Sequence, residues 1–278
     1  MEIQRESMDY DVVIVGAGPA GLATSIKLKQ TNPDLNICIL EKGSEVGAHI
    51  LSGNVFETRA LDELIPDWKE KNSPIKLKVK KEKFLFLGKE KSLSWPTWLL
   101  PSVQQNHKNY IISLANLCRW LATQAEDLGV EIFPGFAATK IIYDDENKVI
   151  GVQTGDMGID KAGNNKDSFE PGLNIFAKVT VFSEGCRGHL GKEIISKFNL
   201  DSGKSPQQYG IGFKEIWEIP EEQHDEGLVM HTAGWPLDNS TYGGSFCYHA
   251  ENNQIFIGYV IGLDLSLIHI SEPTRPMN

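Results

Sequence analysis

The sequence predicts an α/β fold in which a split, Rossmann-like nucleotide-binding domain with a β-meander is joined to a second, mixed-sheet α+β domain. Three observations lead to this prediction. A strand, a glycine-rich turn and a helix open the chain, a β-meander lies near its middle, and alternating apolar segments fill its last third. The 278 residues also exceed the usual size of one compact core, which agrees with two domains.

The glycine-rich turn follows a β-branched strand and leads into a helix. Its residues are Gly16, Ala17, Gly18, Pro19, Ala20 and Gly21. Gly16 permits a tight turn, Gly18 lets backbone amides approach a pyrophosphate, and Gly21 lets the helix lie close to the strand. The helix N-terminus presents a partial positive charge to phosphates. The turn therefore predicts a dinucleotide site, and the alternative is an ordinary βαβ unit.

A second apolar strand, Asn36–Leu40, delivers an acidic residue, Glu41. A carboxylate at this place accepts hydrogen bonds from a ribose 2′-hydroxyl and repels a 2′-phosphate. The motif begins almost at residue 1, and Glu41 is followed by Lys42 and Gly43, which is typical of FAD-binding oxidoreductases. We therefore predict FAD as the dinucleotide, contacted by the glycine-rich turn, Glu41 and Lys42, with NAD as the alternative.

The middle of the chain predicts a helix followed by a β-meander. Apolar residues at helical spacing predict a helix over Tyr110–Leu128. Strands are predicted to follow at Val130–Phe133, from Phe136, at Val149–Thr154 and at Ala177–Phe182.

Gly185 comes directly after the last of these strands and an acidic residue. In FAD-dependent oxidoreductases with a split Rossmann domain, a strand and glycine at this place return the chain to the nucleotide. We therefore predict that Gly185 contacts the cofactor, and the alternative is a simple turn.

The last third predicts a mixed sheet that forms a roof over a flavin. Its alternating segments are Ile211–Ile219, Gly227–His231, Gly243–Tyr248 and Gln254–Gly262.

Composition excludes several classes of protein. Hydrophobic residues at 41% and charged residues at 23% are typical of globular domains, and no apolar run reaches the length of a transmembrane helix. The net charge of −10 argues against nucleic-acid binding. The four cysteines are widely separated, so no metal site is predicted from them. Residues 1–8 show no targeting signal, so we expect none in this chain.

Several strings along the chain resemble one protein family. They are GAGPAGL, GAHILSG, NHKNYI, FPGFAA, SEGCRGHLGK, YGIGFKE, GWPLDNSTYGGSF and GYVIGLD. Together they are similar to the electron transfer flavoprotein–ubiquinone oxidoreductase family, which is related to geranylgeranyl-reductase and FixC-like flavoproteins. The likeness runs nearly unbroken from Tyr10 to Asp264, and several strings have no role in nucleotide binding alone.

The resemblance implies an FAD-dependent enzyme that passes electrons from reduced electron transfer flavoprotein to ubiquinone at a bacterial or mitochondrial inner membrane. It places a quinone carbonyl at the backbone of Gly243 and Gly244, next to Tyr242. A glycine pair lets a backbone amide approach a flat headgroup, and the competing explanation is a β-bulge in the roof sheet. No catalytic acid, base or nucleophile is predicted, because the flavin itself supplies the redox chemistry.

Two segments are candidates for peripheral membrane contact. The first, residues 46–67 with nearby Trp68, resembles the membrane-dipping surface of the family, and the alternative is that it forms the core of the second domain. The second is the run Trp95–Leu100, since tryptophan next to lysine suits a membrane–water interface.

A basic patch precedes this run. It can bind an anionic membrane or an acidic protein partner, and the alternative is that it is simply the solvated face of a hairpin. Its lysines are Lys76, Lys78, Lys80, Lys81, Lys83, Lys89 and Lys91.

Two departures from the family are expected. The resemblance implies a [4Fe–4S] cluster in a C-terminal iron–sulfur domain, whose ligands are absent from this sequence. It also stops after Asp264, and residues 265–276, LSLIHISEPTRP, resemble an in-frame translation of a sequencing adapter. We therefore expect residues 265–278 to be a non-native tail and the chain to be an incomplete fragment that is inactive alone.

The resulting division assigns FAD binding to residues 1–45 and 105–190, and quinone binding and the membrane-facing surface to residues 46–104 and 191–264. Two other functions remain open at this point. One is a geranylgeranyl-reductase or FixC-like flavoprotein, and the other is a non-catalytic dinucleotide-binding or docking module.

Overall fold

The computed structural model describes residues 4–51, 53–238 and 240–263. The strands are, in chain order, β1 (Ser7–Val15), β2 (Ile37–Glu41), β3 (Gly53–Phe56), β4 (Leu77–Lys78), β5 (Lys81–Leu87), β6 (Ser92–Trp95), β7 (Tyr110–Ser113), β8 (Glu131–Pro134), β9 (Ala138–Tyr143), β10 (Val149–Thr154), β11 (Met157–Ile159), β12 (Asn165–Glu170), β13 (Asn174–Phe182), β14 (Gly210–Glu218), β15 (Leu228–Gly234), β16 (Gly243–His249) and β17 (Gln254–Gly262). The α-helices are α1 (Pro19–Thr31), α2 (Arg59–Leu64), α3 (Leu114–Asp127) and α4 (His189–Phe198). Short 3₁₀ helices lie at Thr97–Leu99, Ser102–Gln104 and Glu221–Gln223.

The chain divides into two compact units, each assembled from separate segments. The first unit takes the described residues up to 50 together with 61–74 and 114–204, and the second takes 51–60, 75–113 and the described residues from 205 onward. Residues 46–50, 61–74, 105–113 and 191–204 thus cluster differently from the predicted division. The function assigned to each predicted domain stays a prediction.

The first unit is built on a six-stranded sheet of order β8-β2-β1-β13-β10-β9. β8, β2, β1 and β13 are parallel, whereas β10 and β9 are antiparallel additions. Apolar residues of β1 such as Val13 and Ile14 are fully buried, because a parallel strand in an α/β sheet is covered on both faces. α1 buries Gly21, Leu22 and Ile26. The predicted Rossmann-like sheet with a β-meander is confirmed.

The predicted helix over Tyr110–Leu128 is wrong in its first turn. Tyr110–Ser113 is strand β7, and α3 begins only at Leu114. Ile111 and Ile112 are β-branched and fully buried, and β7 pairs with both β3 and β4. A stiff apolar segment with partners on both edges is more stable as a strand than as a helical turn.

The second unit contains the predicted mixed sheet. Its order is β14-β17-β16-β15-β5-β6, in which β15 and β5 are parallel and the other neighbours are antiparallel. A three-stranded sheet of order β3-β7-β4 accompanies it. The core of this unit is formed by Leu77, Val79, Ile111, Val229, Tyr248, Ala250 and Phe256.

The segment that resembles a membrane-dipping surface is core only in part. Leu61, Ile65 and nearby Trp68 are buried, but in the first unit and not in the second domain, as the alternative had it. The Trp68 indole also donates a hydrogen bond to Asp62 at 2.7 Å. Leu51 in the same segment is 83% exposed, so membrane contact by this segment stays a prediction.

Within the described ranges, no helix is long and apolar enough to span a membrane. The predicted non-native tail, residues 265–278, lies outside the described residues, so it stays a prediction.

Candidate functional site

The glycine-rich turn lies at the carboxyl end of β1, in the first unit. The Gly16 amide donates to the carbonyl of Leu40 at 2.8 Å, and the Ser183 amide donates to the carbonyl of Val15 at 2.8 Å. These bonds join the turn to the ends of β2 and β13 on either side. Ligands of open α/β sheets bind at this edge of the sheet.

Gly16 and Gly21 are required by close packing. Gly16 has φ +103°, and a Cβ there would lie 2.6 Å from the Ser183 carbonyl oxygen. A Cβ on Gly21 would overlap the carbonyl oxygen of Gly16. Gly16 therefore makes a tight turn against the end of β13, and Gly21 lets α1 lie close to that turn and to β1, in the roles that the sequence predicts for them.

Gly18 differs from Gly16 and Gly21 because there is open space at its Cβ position. A Cβ at this position would meet no heavy atom within 4 Å, and its φ of −78° and ψ of 178° suit any residue. Packing therefore does not require glycine here. Gly18 is the N-cap of α1, no side chain caps this helix, and its first turn contains no acidic residue. The first-turn amides have no partner within the helix, so this N-terminus is open to an anion.

Glu41 faces the glycine-rich turn from the end of β2. Its Oε2 accepts a hydrogen bond from the Ala17 amide at 3.0 Å, and its Oε1 accepts one from the Gly43 amide at 2.7 Å. The carboxylate therefore positions the turn itself. Each carboxylate oxygen can accept a further hydrogen bond, so a ribose hydroxyl remains an additional partner. Lys42 is exposed.

Gly185 lies in the loop between β13 and α4. Its φ is +78°, and a Cβ would meet no heavy atom within 4 Å. The loop begins at Ser183, which abuts Gly16, so the structure brings Gly185 into the same region as the glycine-rich turn. Cofactor contact by Gly185 stays a prediction.

Glu184 has a structural role that the sequence did not reveal. Its Oε1 accepts from the His189 amide at 3.0 Å, and its Oε2 accepts from the Gly191 amide at 2.7 Å. A carboxylate at a helix N-terminus is favourable because it meets free amides and the positive end of the dipole. α4 is therefore capped by this chain's own side chain. The acidic residue just before a glycine and a helical segment was the signal available in the sequence.

Tyr242, Gly243 and Gly244 lie in the second unit, where β16 begins. Tyr242 is 82% exposed, and its carbonyl accepts a hydrogen bond from the Gly262 amide at 2.7 Å. A Cβ on Gly243 would overlap the carbonyl oxygen of Val260 on β17. A Cβ on Gly244 would likewise overlap the carbonyl of Thr232 on β15. Close strand packing therefore explains both glycines, whether or not a quinone also contacts their backbone.

Among the described residues, no group of three or more His, Cys, Asp and Glu side chains is arranged to hold a metal ion. Cys38 and Cys118 are buried, and burial raises the pKa of the Cys38 thiol to about 12 and that of the Cys118 thiol to about 11. Both thiols are therefore protonated at neutral pH and act as small apolar side chains.

Comparison with known proteins identifies relatives for both units. A family model described as ETF-QO, ubiquinone-binding, matches residues 209–274, and a model of the Thi4 family matches residues 1–63. An electron transfer flavoprotein-ubiquinone oxidoreductase from Pseudomonas aeruginosa is 54% identical over 97% of this chain and 50% of its own length. The mitochondrial protein of this name from Bos taurus is 45% identical over 98% of this chain and 45% of its own length. The chain thus spans about half the length of the curated relatives it matches.

Solved structures show the same fold at low identity. A geranylgeranyl bacteriochlorophyll reductase-like protein from Thermoplasma acidophilum aligns with a TM-score of 0.61 and 17% identity, covering 92% of this chain and 57% of its own. A flavoprotein/dehydrogenase from Cytophaga hutchinsonii aligns with a TM-score of 0.60 and 17% identity, covering 91% of this chain and 56% of its own.

Proposed function

We propose that this chain, which corresponds to the N-terminal portion of an electron transfer flavoprotein–ubiquinone oxidoreductase, binds FAD through its first unit and contributes to electron transfer from reduced electron transfer flavoprotein to ubiquinone. The observation that carries the FAD assignment is the uncapped N-terminus of α1 beneath the open space at Gly18. Activity with both partners belongs to the whole protein and is part of the proposal.

The residues present fit the ADP half of FAD. The first-turn amides of α1 would donate to the pyrophosphate, and the bare Cα of Gly18 leaves room for it. Glu41 would fix the Ala17 side of the turn and accept a hydrogen bond from the adenosine ribose. When bound, the flavin ring supplies the exchange of electrons. The chain's own contribution is to bind, orient and shield it.

Quinone binding is proposed for the second unit. The ubiquinone-binding family model covers Tyr242, Gly243 and Gly244 together with strands β14 to β17. The backbone of the glycine pair is the proposed contact for a quinone carbonyl. The [4Fe–4S] cluster implied by the resemblance stays a prediction.

Peripheral membrane contact is proposed for one surface of the second unit, which we call the tryptophan surface. It consists of the exposed side chains Leu93, Trp95, Trp98, Leu99 and Val103. Lys89 and Lys91 are exposed next to it, whereas Lys80 and Lys81 form ion pairs with Glu226 and Asp225. Exposed tryptophan and leucine beside exposed lysines favour the headgroup region of an anionic bilayer.

Nucleotide titrations test the FAD proposal. The purified 278-residue chain is titrated with FAD, and ADP is then added as a competitor. We expect saturable FAD binding that ADP displaces, because the ADP half makes the proposed contacts. NADP should bind far more weakly, since Glu41 repels a 2′-phosphate. FAD binding that ADP does not displace would contradict the assignment of this site.

A further inference from the structure

A buried hydrogen bond joins two strands of the mixed sheet in the second unit. The Nε2 atom of His231 on β15 lies 2.8 Å from the hydroxyl of Tyr248 on β16. The Phe246 ring stacks on the Tyr248 ring with centroids 4.7 Å apart, which restricts the tyrosine. The pair is therefore held in one arrangement by bonding and stacking together.

His231 lies on the same face of the sheet as the second glycine of the predicted quinone contact. His231 is directly opposite Phe246, and Gly244 precedes Phe246 by two residues. Residues two apart on a strand lie on the same face, so Gly244, Phe246 and Tyr248 share one face of β16. His231 is paired with Phe246, so it lies on that face too, between the levels of Gly244 and Tyr248. His231 is roughly 7 Å along the strand direction from Gly244, at about 3.3 Å per residue.

The packed core ends at this histidine. Val229 is fully buried and Tyr248 is 8% exposed, whereas His231, Ala233 and Gly244 are only half-buried. Tyr248 thus lies in the core, and His231 lies at its boundary, on the side of the glycine pair.

Only one of the two ring nitrogens of His231 has a hydrogen-bond partner among the described residues. Nε2 is bonded to Tyr248, and no hydrogen bond to Nδ1 is found within the part of the chain that the structure describes. Burial lowers the pKa of His231 and raises the pKa of Tyr248 to about 12. Both groups are therefore neutral at pH 7, and a tyrosine hydroxyl that donates to Nε2 leaves the proton of the imidazole on Nδ1.

We propose that His231 donates a hydrogen bond from Nδ1 to a carbonyl oxygen of a quinone headgroup, with Tyr248 as the positioning residue for the imidazole. This inference rests on the proposed quinone site. A benzoquinone has carbonyl oxygens on opposite sides of its ring, so a ring held by one oxygen at the glycine pair presents the other along the face where His231 lies. This hydrogen bond would give Nδ1 of the half-buried His231 a partner, which it lacks among the described residues.

Two substitutions of His231 separate the roles of its two nitrogens. In His231→Gln, the side-chain amide falls near the Nε2 position and keeps a bond to Tyr248 but offers no donor at Nδ1. In His231→Asn, the amide falls near Nδ1 and keeps the donor that faces the quinone. The probe is ubiquinone-0, the headgroup without its tail, and its binding to the 278-residue chain is followed by quenching of tryptophan fluorescence.

We expect His231→Gln to weaken ubiquinone-0 binding about tenfold and His231→Asn to stay within about threefold of the unaltered chain. Tyr248→Phe should weaken it severalfold, because the imidazole loses its fixed orientation. Tyr259→Phe is the matched control. The hydroxyl of Tyr259 is buried on β17, the strand next to β16, and it has no hydrogen-bond partner among the described residues. Its removal should therefore leave ubiquinone-0 binding unchanged.

The outcomes separate this inference from the function on which it rests. Equal affinities of the unaltered, Gln and Asn chains would overturn the role of His231 and leave the quinone site intact. No binding of ubiquinone-0 by the unaltered chain would remove the quinone site and this inference together. ¹⁵N NMR of the imidazole gives a second readout: we expect the Nδ1–H tautomer and a shift of its resonance on adding ubiquinone-0, and the Nε2–H tautomer would overturn the proposal.

Discussion

The carboxylate of Glu41 accepts a hydrogen bond from the backbone amide of Ala17 at 3.0 Å, and this bond ties the end of β2 to the glycine-rich turn. Glu41 therefore has a structural role at the candidate nucleotide site, because it holds the turn that would receive the pyrophosphate.

Glu41→Ala should lower the free energy of unfolding by about 2 kcal/mol, because two backbone amides lose a charged acceptor. Urea denaturation measures this change. Glu45→Ala is the control: Glu45 forms an exposed ion pair with Arg119, so its loss should cost about 1 kcal/mol or less. Equal costs for the two variants would contradict the positioning role of Glu41.

Gly18→Val should abolish FAD binding and lower the free energy of unfolding by no more than about 1 kcal/mol, the cost of a poorer N-cap. The backbone at Gly18 is extended and nothing surrounds its Cβ position, so valine fits the free protein and blocks only the ligand. Gly21→Ala should instead destabilise the fold by about 2 kcal/mol or more, because its Cβ overlaps a carbonyl. Thermal unfolding and FAD titration of both variants check the contrast, and full FAD affinity in Gly18→Val would count against the phosphate site.

Trp98→Ser should weaken binding to anionic vesicles about tenfold, because an exposed aromatic anchor is removed from the tryptophan surface. Flotation with phosphatidylglycerol vesicles measures the bound fraction. Trp217→Ser is the matched control, since Trp217 on β14 is also more than half exposed but lies outside that surface. A similar loss in both variants would mean that the surface was wrongly chosen.

Asp156 should make the stability of the chain depend on pH in the acid range. The Arg5 side chain, through its hydrogen bond, and the Gly172 amide hold the pKa of Asp156 below its usual range. A lowered carboxyl pKa stabilises the fold above the unfolded value of about 3.9, and this contribution is lost as the pH falls through the folded pKa. The free energies of unfolding of the unaltered chain and of Asp156→Asn, measured in urea, should differ by a constant amount between pH 5 and 7. The two values should converge as the pH falls below about 4. Parallel curves down to pH 3 would show that the ion pair does not stabilise the fold.

The sequence predicted the nucleotide-binding half of the fold well, because its signals are local. Gly16 and Gly21 are forced by backbone geometry over a few residues, and the spacing from Gly21 to Glu41 follows from a helix and a strand of ordinary length. The strand at Gln254–Gly262 was predicted with its observed bounds, since its apolar residues alternate clearly.

The parts that the sequence predicted less well depend on contacts between distant residues. Tyr110–Ser113 has helical spacing, but its strand partners on β3 lie 54 to 60 residues away, the most distant pair being Gly53 and Ser113. Trp68 follows an apolar segment that resembles a membrane-dipping surface, yet its side chain is buried within the first unit. The bond between His231 and Tyr248 exists only because β15 and β16 pair in one register, and no pattern within either strand predicts it.

The carboxylate of Glu184 also determines which of two neighbouring helices can receive a phosphate. Two helices, α1 and α4, follow the adjacent strands β1 and β13. α4 has its N-terminal amides occupied by Glu184, while α1 has no side-chain cap. We therefore expect the phosphates of a dinucleotide to bind at the N-terminus of α1 and not at that of α4.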